Sequence, residues 1–230
     1  DSVHEWGAQF AYQKKFFVPK DMHSLSRMRE LLASAIGYSI QQTDPDYGID
    51  RSRLNSASAF RKPYLVFVHC TSWLSKNWDE DYWRRLLAQS AAEGFSILLP
   101  WGNESERKRA ERIAGDGDRA IVLPAMTIGE KASVLANADA VVGCDTGLSH
   151  IAAALDVPAI TLYGPTDPAL IGASGKNQAH LASDFECVRC HQSRCTYPNQ
   201  PHHRPACLAS ITPDRVLAEL RKLLRHPANV

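Results

Sequence analysis

The amino-acid sequence predicts an α/β fold, a parallel sheet flanked by helices, and three observations point to it. From about residue 60 short apolar runs alternate with helical segments, as they do where a parallel sheet is wrapped by helices. The runs themselves are brief and apolar, suited to buried strands. In the clearest case Ala140 to Gly143 form such a run, Cys144 to Gly147 a tight polar turn, and Leu148 to Leu155 an apolar pattern at helical spacing. At that turn Asp145 and Thr146 can cap the helix, Gly147 lets a ligand approach the backbone, and the exposed amides favour an anion such as phosphate. Capping alone would also account for these residues, with His150 half-buried on the first helical turn.

At 230 residues the chain can bury one sizeable domain and part of a second. Its 26 basic and 25 acidic residues nearly cancel, which argues against a nucleic-acid partner. It has no apolar run long enough to span a membrane. The opening residues Asp1 to Trp6 contain neither an initiator methionine nor a signal peptide, so the chain is expected to begin inside a longer protein. Six cysteines are too few for a disulfide scaffold, and Cys70 and Cys144 close apolar runs, so a reducing cytoplasm is the simpler expectation.

Residues 1 to about 20 mix aromatics with lysines without a clear period and read as surface that needs a partner. Met22, Leu25, Met28, Leu31, Leu32, Ala35 and Ile36 then line one face of a helix that Gly37 stops. Residues 38 to 62 read as a linker, placing a domain boundary near residue 60. Five strands follow, at 64–69, 95–99, 120–123, 140–143 and 159–163. Helices are predicted over 79–92, 104–114, 128–137 and 147–155, the third opened by a Thr127/Glu130 capping box. A last capped helix runs from Thr212 to Leu224.

Ligands of parallel sheets bind outside the carboxyl ends of the strands. The residues there are Thr71, Ser72 and Lys76 after the first strand, Trp101, Gly102 and Glu106 after the second, and Pro124 and Met126 after the third. Asp145, Thr146, Gly147 and His150 follow the fourth, and Gly164 to Pro168 the fifth. This rim suits a phosphorylated, hydroxyl-rich ligand: Lys76 neutralises phosphate, Asp145 and Glu106 accept from sugar hydroxyls, and Met126 packs on a flat base. Each has a plainer alternative: a solvated lysine beside Trp78, a glutamate complementing a helix dipole, a methionine filling core. The dinucleotide glycine fingerprint, the P-loop and the nucleophile elbow are all absent.

Cys187, Cys190, Cys195 and Cys207 lie in a segment without periodicity. The first pair has zinc-ligand spacing that the second half does not repeat, so zinc, disulfides and reduced thiols stay open and no metal site is assigned.

The run Asp145 to Leu155, together with Tyr163 to Pro168, Lys76-Asn77-Trp78, Trp101-Gly102 with Glu106, and Leu123-Pro124 to Met126, resembles the bacterial lipopolysaccharide heptosyltransferases. The likeness runs from about residue 8 to the end and is closer to heptosyltransferase I than to heptosyltransferase II. It implies two Rossmann-like domains facing across a cleft, a GT-B glycosyltransferase, with residues 61–230 as the second, donor-binding domain and residues 1–60 as the tail of the first plus a linker. It further implies an inverting transfer of L-glycero-D-manno-heptose from ADP-heptose to the Kdo of a lipid A precursor, at the cytoplasmic face of the inner membrane, without a cofactor. By matching positions, Thr71, Ser72 and Lys76 would hold the diphosphate and nearby sugar, Glu106 the ribose, Met126 the adenine, and Asp145, Thr146, Gly147 and His150 the heptose and phosphates. Ser72 stands where the family is expected to carry threonine. The catalytic base and the acceptor site belong to the first domain, so this chain is expected at most to bind donor, with Lys76 assisting the leaving group. The rival readings are heptosyltransferase II, a transferase using another nucleotide sugar, and a stand-alone nucleotide-binding module.

Overall fold

Five consecutive apolar residues, Tyr64–Val68, form β1, the strand around which the sheet is laid. The structure is a computed structural model and describes residues 7, 10, 12–40, 46–54, 60–198 and 205–225. Five further strands, β2 (Ser96–Leu99), β3 (Ala120–Val122), β4 (Ala140–Cys144), β5 (Ala159–Tyr163) and β6 (Gln178–Ala182), join it. Every pairing is parallel, and the order is β3-β2-β1-β4-β5-β6. The chain therefore reverses its direction of travel across the sheet between β1 and β4, and that reversal opens a crevice at their carboxyl ends.

Among the described residues seven α-helices connect or flank the strands: α1 (Ser24–Ile36), α2 (Glu80–Ala92), α3 (Glu104–Ala114), α4 (Ile128–Ala136), α5 (Gly147–Ala154), the single turn α6 (Pro168–Ile171) and α7 (Pro213–Arg225). Successive strand residues point to opposite faces, so β1 feeds two cores. Leu65 and Phe67 pack with α2, α3 and α7, while Tyr64, Val66 and Val68 pack with α4 and α5. Gly143 sits where these layers meet most closely: a Cβ there would lie 2.8 Å from the Ser149 hydroxyl and 3.0 Å from Val68 Cβ. That proximity lets Ser149 donate to the Cys144 carbonyl at 2.7 Å, pinning the first turn of α5 to the end of β4.

The predicted strands and helices recur to within a residue or two. β6 was not foreseen: as an edge strand it interleaves Gln178 and His180 with Ala179 and Leu181 and lacks a continuous apolar run. The last helix does dock here, burying Val216, Leu217 and Leu220. By contrast α1 keeps its amphipathic pattern but leaves Met28, Leu31, Leu32 and Ile36 exposed, along with Phe10, Tyr12 and Phe17 before it. Within the segment read as linker, the Tyr47 hydroxyl donates to the Ser174 carbonyl at 2.9 Å and Arg51 Nε to the Ala136 carbonyl at 2.9 Å, so those residues lie against the sheet domain. Trp6 and the serine-rich residues 55–59 lie outside the described residues.

His69, directly after β1, has no exposed surface. Burial first, and then the Arg109 cation, push its pKa down to about 3. An unfolded chain takes up that proton near pH 6.5, well before the folded one does. The resulting stability is complete above pH 6.5 and is lost as pH falls toward 3, at up to about 1.4 kcal/mol per pH unit. Urea denaturation from pH 7 to 4.5 should therefore show wild type losing more stability than His69→Gln; parallel curves would show that His69 titrates normally in the fold.

Candidate functional site

The crevice between β1 and β4 is filled by a salt bridge that neither local stretch of sequence announces. Lys76 closes a short 3-10 turn, Leu74–Lys76, and its Nζ lies 2.7 Å from Asp145 Oδ2. The two side chains are only 13% and 4% exposed, so this is a buried pair. Asp145 follows β4 directly and is carried into the crevice by the end of that strand. The Thr166 hydroxyl, after β5, donates to the same Oδ2 at 2.8 Å. On the other oxygen His150 Nε2 stands 3.9 Å from Oδ1, with its side chain 45% exposed. Burial lowers the His150 pKa, the Asp145 carboxylate working against it, so the ring is neutral at pH 7 and can donate or accept.

These contacts revise the sequence reading in two places. Asp145 does not cap α5; Thr146 is the N-cap residue, and it makes no side-chain cap bond. The aromatic that faces Lys76 is Trp73, whose ring centroid is 4.6 Å from Nζ, and not Trp78. Trp78 is wholly buried and its indole donates to the Ile211 carbonyl at 2.9 Å, which anchors the far end of the Lys76 loop to the turn before α7. The loop is tied at its start as well, where the Thr71 amide donates to Asn77 Oδ1 at 3.0 Å. Thr71 is half-buried and Ser72 exposed.

Gly147 opens α5 with an exposed backbone, and a Cβ built there meets nothing within 4 Å. The first helical amides have no partner inside the helix, so this end can receive an anion beside Lys76. Along the rim, Glu106 lies on the first turn of α3, where Oε2 accepts the Gly102 amide at 2.7 Å. That bond fixes the carboxylate over the turn after β2. Met126 is half-buried at the carboxyl end of β3, in contact with the core below. With strands about 4.8 Å apart, Met126 is two strands and roughly 10 Å from the Lys76 loop, with Glu106 between them. The predicted residues thus share one rim, with Lys76, Asp145 and His150 in direct proximity and Glu106 and Met126 stepping away in line.

The cysteine-rich segment lies against this site. Ser75 donates from its amide to the Ser193 carbonyl at 3.1 Å and from its hydroxyl to the Gln192 carbonyl at 2.5 Å. Arg189 and His191 donate backbone amides to the Gly164 and Pro165 carbonyls at 3.0 and 2.9 Å. Cys187, Cys190, Cys195 and Cys207 border one cavity of about 230 Å³, with no disulfide among them. Burial, then the other three thiols, push the Cys207 pKa up to about 12. Among the described residues no three His, Cys, Asp or Glu side chains could hold a metal ion. A larger cavity of about 630 Å³ lies beside α2, but its charged lining is largely self-paired, as Glu80 with Arg109 at 3.0 Å shows. Among the described residues no helix is long and apolar enough to cross a membrane.

A parallel sheet with this strand order and a charged crevice at its point of reversal defines the class, a Rossmann-like domain of the kind found in GT-B glycosyltransferases. The model of glycosyltransferase family 9 (heptosyltransferase) matches residues 4–200, and the chain belongs to that family. It is 42% identical over 236 residues to lipopolysaccharide heptosyltransferase 1 of Pseudomonas aeruginosa, covering 99% of this chain and 66% of that protein. With the Escherichia coli protein of the same name it shares 46% over 171 residues, 74% of this chain and 54% of the relative. The chain thus spans between about half and two thirds of the length of these relatives. Among solved structures, E. coli heptosyltransferase WaaC with ADP matches with a TM-score of 0.77 at 38% identity, over 94% of this chain and 61% of that one. E. coli ADP-heptose heptosyltransferase II shares the fold, with a TM-score of 0.70 at 20% identity, over 93% of this chain and 66% of that one.

The buried pair also governs stability. Lys76→Ala strands a carboxylate that is 4% exposed, with Thr166 as its close remaining donor. The variant should lose about 3 kcal/mol, and the neutral pair Lys76→Met with Asp145→Asn should recover most of it. Chemical denaturation checks this, and a Lys76→Ala protein as stable as wild type would place the pair in solvent.

Proposed function

We propose that this chain binds ADP-heptose and forms the donor half of an inverting heptosyltransferase that passes L-glycero-D-manno-heptose to the Kdo of a lipid A precursor in the lipopolysaccharide inner core. The observation that supports this most strongly is the Lys76–Asp145 pair at the β1/β4 crevice, beside the open start of α5, in a family whose solved members include one named with ADP. The diphosphate sits between Lys76, Thr71, Ser72 and the first amides of α5. From there the adenosine runs along the rim, with the ribose at Glu106 and the adenine on Met126, a span that fits the strand spacing. Asp145, Thr146, Gly147 and His150 face the heptose and the phosphates.

Glycosyl transfer leaves negative charge on departing ADP. Lys76 and the amides at residues 146 and 147 offset that charge from fixed positions, which is the share of catalysis this chain's residues carry. Neither rim carboxylate is free to deprotonate an acceptor hydroxyl: Asp145 is committed to Lys76 and Thr166, and Glu106 to the Gly102 amide. By the family resemblance we assign the base and the acceptor site to a first domain, with residues 1–60 as its tail and linker, and the exposed apolar side chains of α1 support that division. The acceptor implies work at the cytoplasmic face of the inner membrane, as a peripheral protein.

Calorimetry with ADP, UDP and GDP tests the donor assignment, and ADP should bind best. Gly147→Ala sharpens the test, because a methyl there has room in the fold yet stands at the open start of α5 where the diphosphate is proposed to lie. The melting temperature should hold while ADP affinity falls. UDP binding as tightly as ADP, or unchanged ADP affinity in Gly147→Ala, would contradict this reading.

A further inference from the structure

We propose that Thr166 is a positioning residue for the diphosphate-binding lysine, a role that rests on the donor reading above. Its hydroxyl is buried, with the residue 3% exposed, and its hydrogen bond goes to the same Asp145 oxygen that receives Lys76. A carboxylate this far from water must take its hydrogen bonds from the protein. If the ammonium were the only donor to Oδ2, Asp145 would hold it as tightly as possible and turn it away from an incoming phosphate. A neutral hydroxyl on the same oxygen stabilises the anion without adding positive charge. Lys76 is then held in place by one of its three N–H groups and has the others to offer a ligand.

The Thr166 loop is itself fixed from behind. The Gly164 and Pro165 carbonyls receive the Arg189 and His191 amides, and Arg189 Nε lies 3.2 Å from Asp167 Oδ2. A Cβ at Gly164 would fall 2.6 Å from Cys207 Sγ, so the loop rests directly on the cysteine-bearing segment. Through Ser75 the same segment grips the turn that carries Lys76. Both donors to Asp145 are therefore held by one element, and their separation is set before any ligand arrives.

The test compares ADP with adenosine, which lacks the diphosphate, on wild type, Thr166→Val and Thr166→Ser, with folding of each checked by its melting curve. Thr166→Val should bind ADP about tenfold more weakly while its adenosine affinity stays within about twofold, and Thr166→Ser should restore ADP binding, because only the hydroxyl matters. Equal ADP affinity in wild type and Thr166→Val would overturn the positioning role and leave the donor reading standing. Equal losses for ADP and adenosine would overturn it too, since they would mark Thr166 as scaffold. A wild-type protein that binds no ADP would overturn both. Should Thr166→Val fail to fold, Thr166→Ser and Thr166→Cys decide: the serine must match wild type and the cysteine, a weak donor, must lose ADP affinity selectively.

Discussion

Two opposite charges, buried where the sheet reverses direction, set the terms for the rest of this molecule. Taking Lys76 and Asp145 out of water costs several kcal/mol, and their attraction offsets this only with good geometry and further hydrogen bonds. A core designed for stability alone would do as well with apolar residues there. A buried pair at the one crevice where parallel sheets bind ligands makes sense as a fixed electrostatic seat. An anion entering the seat meets an ammonium already oriented, next to helix amides that need no rearrangement.

Much of the surrounding structure holds that geometry. Trp78 and Trp83 stack edge-on at 5.0 Å and 87°, and Phe67 lies 5.2 Å from Trp83, so the loop after β1 is anchored among the buried aromatics of one core. The close approach at Gly143 fixes the end of β4, from which Asp145 projects. The described part of the cysteine-rich segment hydrogen-bonds to the loops on both sides of the crevice. Its sequence looks like a peripheral insertion, yet physically it forms the back wall of the site.

How much of this was legible in the sequence depended on distance along the chain. The inner strands β1, β2, β4 and β5 were readable because burial on both faces favours a near-continuous apolar run, as in Tyr64–Val68, and the edge strand β3 because Ala120 to Leu123 is itself apolar. β6 was not, because an edge strand can carry Gln178 and His180 at no penalty. The rim residues were readable as a set, since parallel topology alone brings every post-strand loop to one edge. Their partners were not: Lys76 and Asp145 are 69 positions apart, and only the strand order β1-β4 makes them neighbours. For the same reason Asp145 looked like a helix cap, and Thr166, inside the Gly164 to Pro168 loop, was given no role. Helix α1 shows the converse, an apolar stripe that is correct as a pattern and unpartnered among the described residues.

The arrangement we propose is an adenosine diphosphate lying along the rim from β4 to β3. A crystal structure of this chain grown with ADP measures it most directly. The account predicts the β-phosphate within hydrogen-bonding distance of Lys76 Nζ, and the adenine against Met126. Density for the nucleotide in the cavity between Arg84 and Arg194, or a diphosphate out of reach of Lys76, would contradict it.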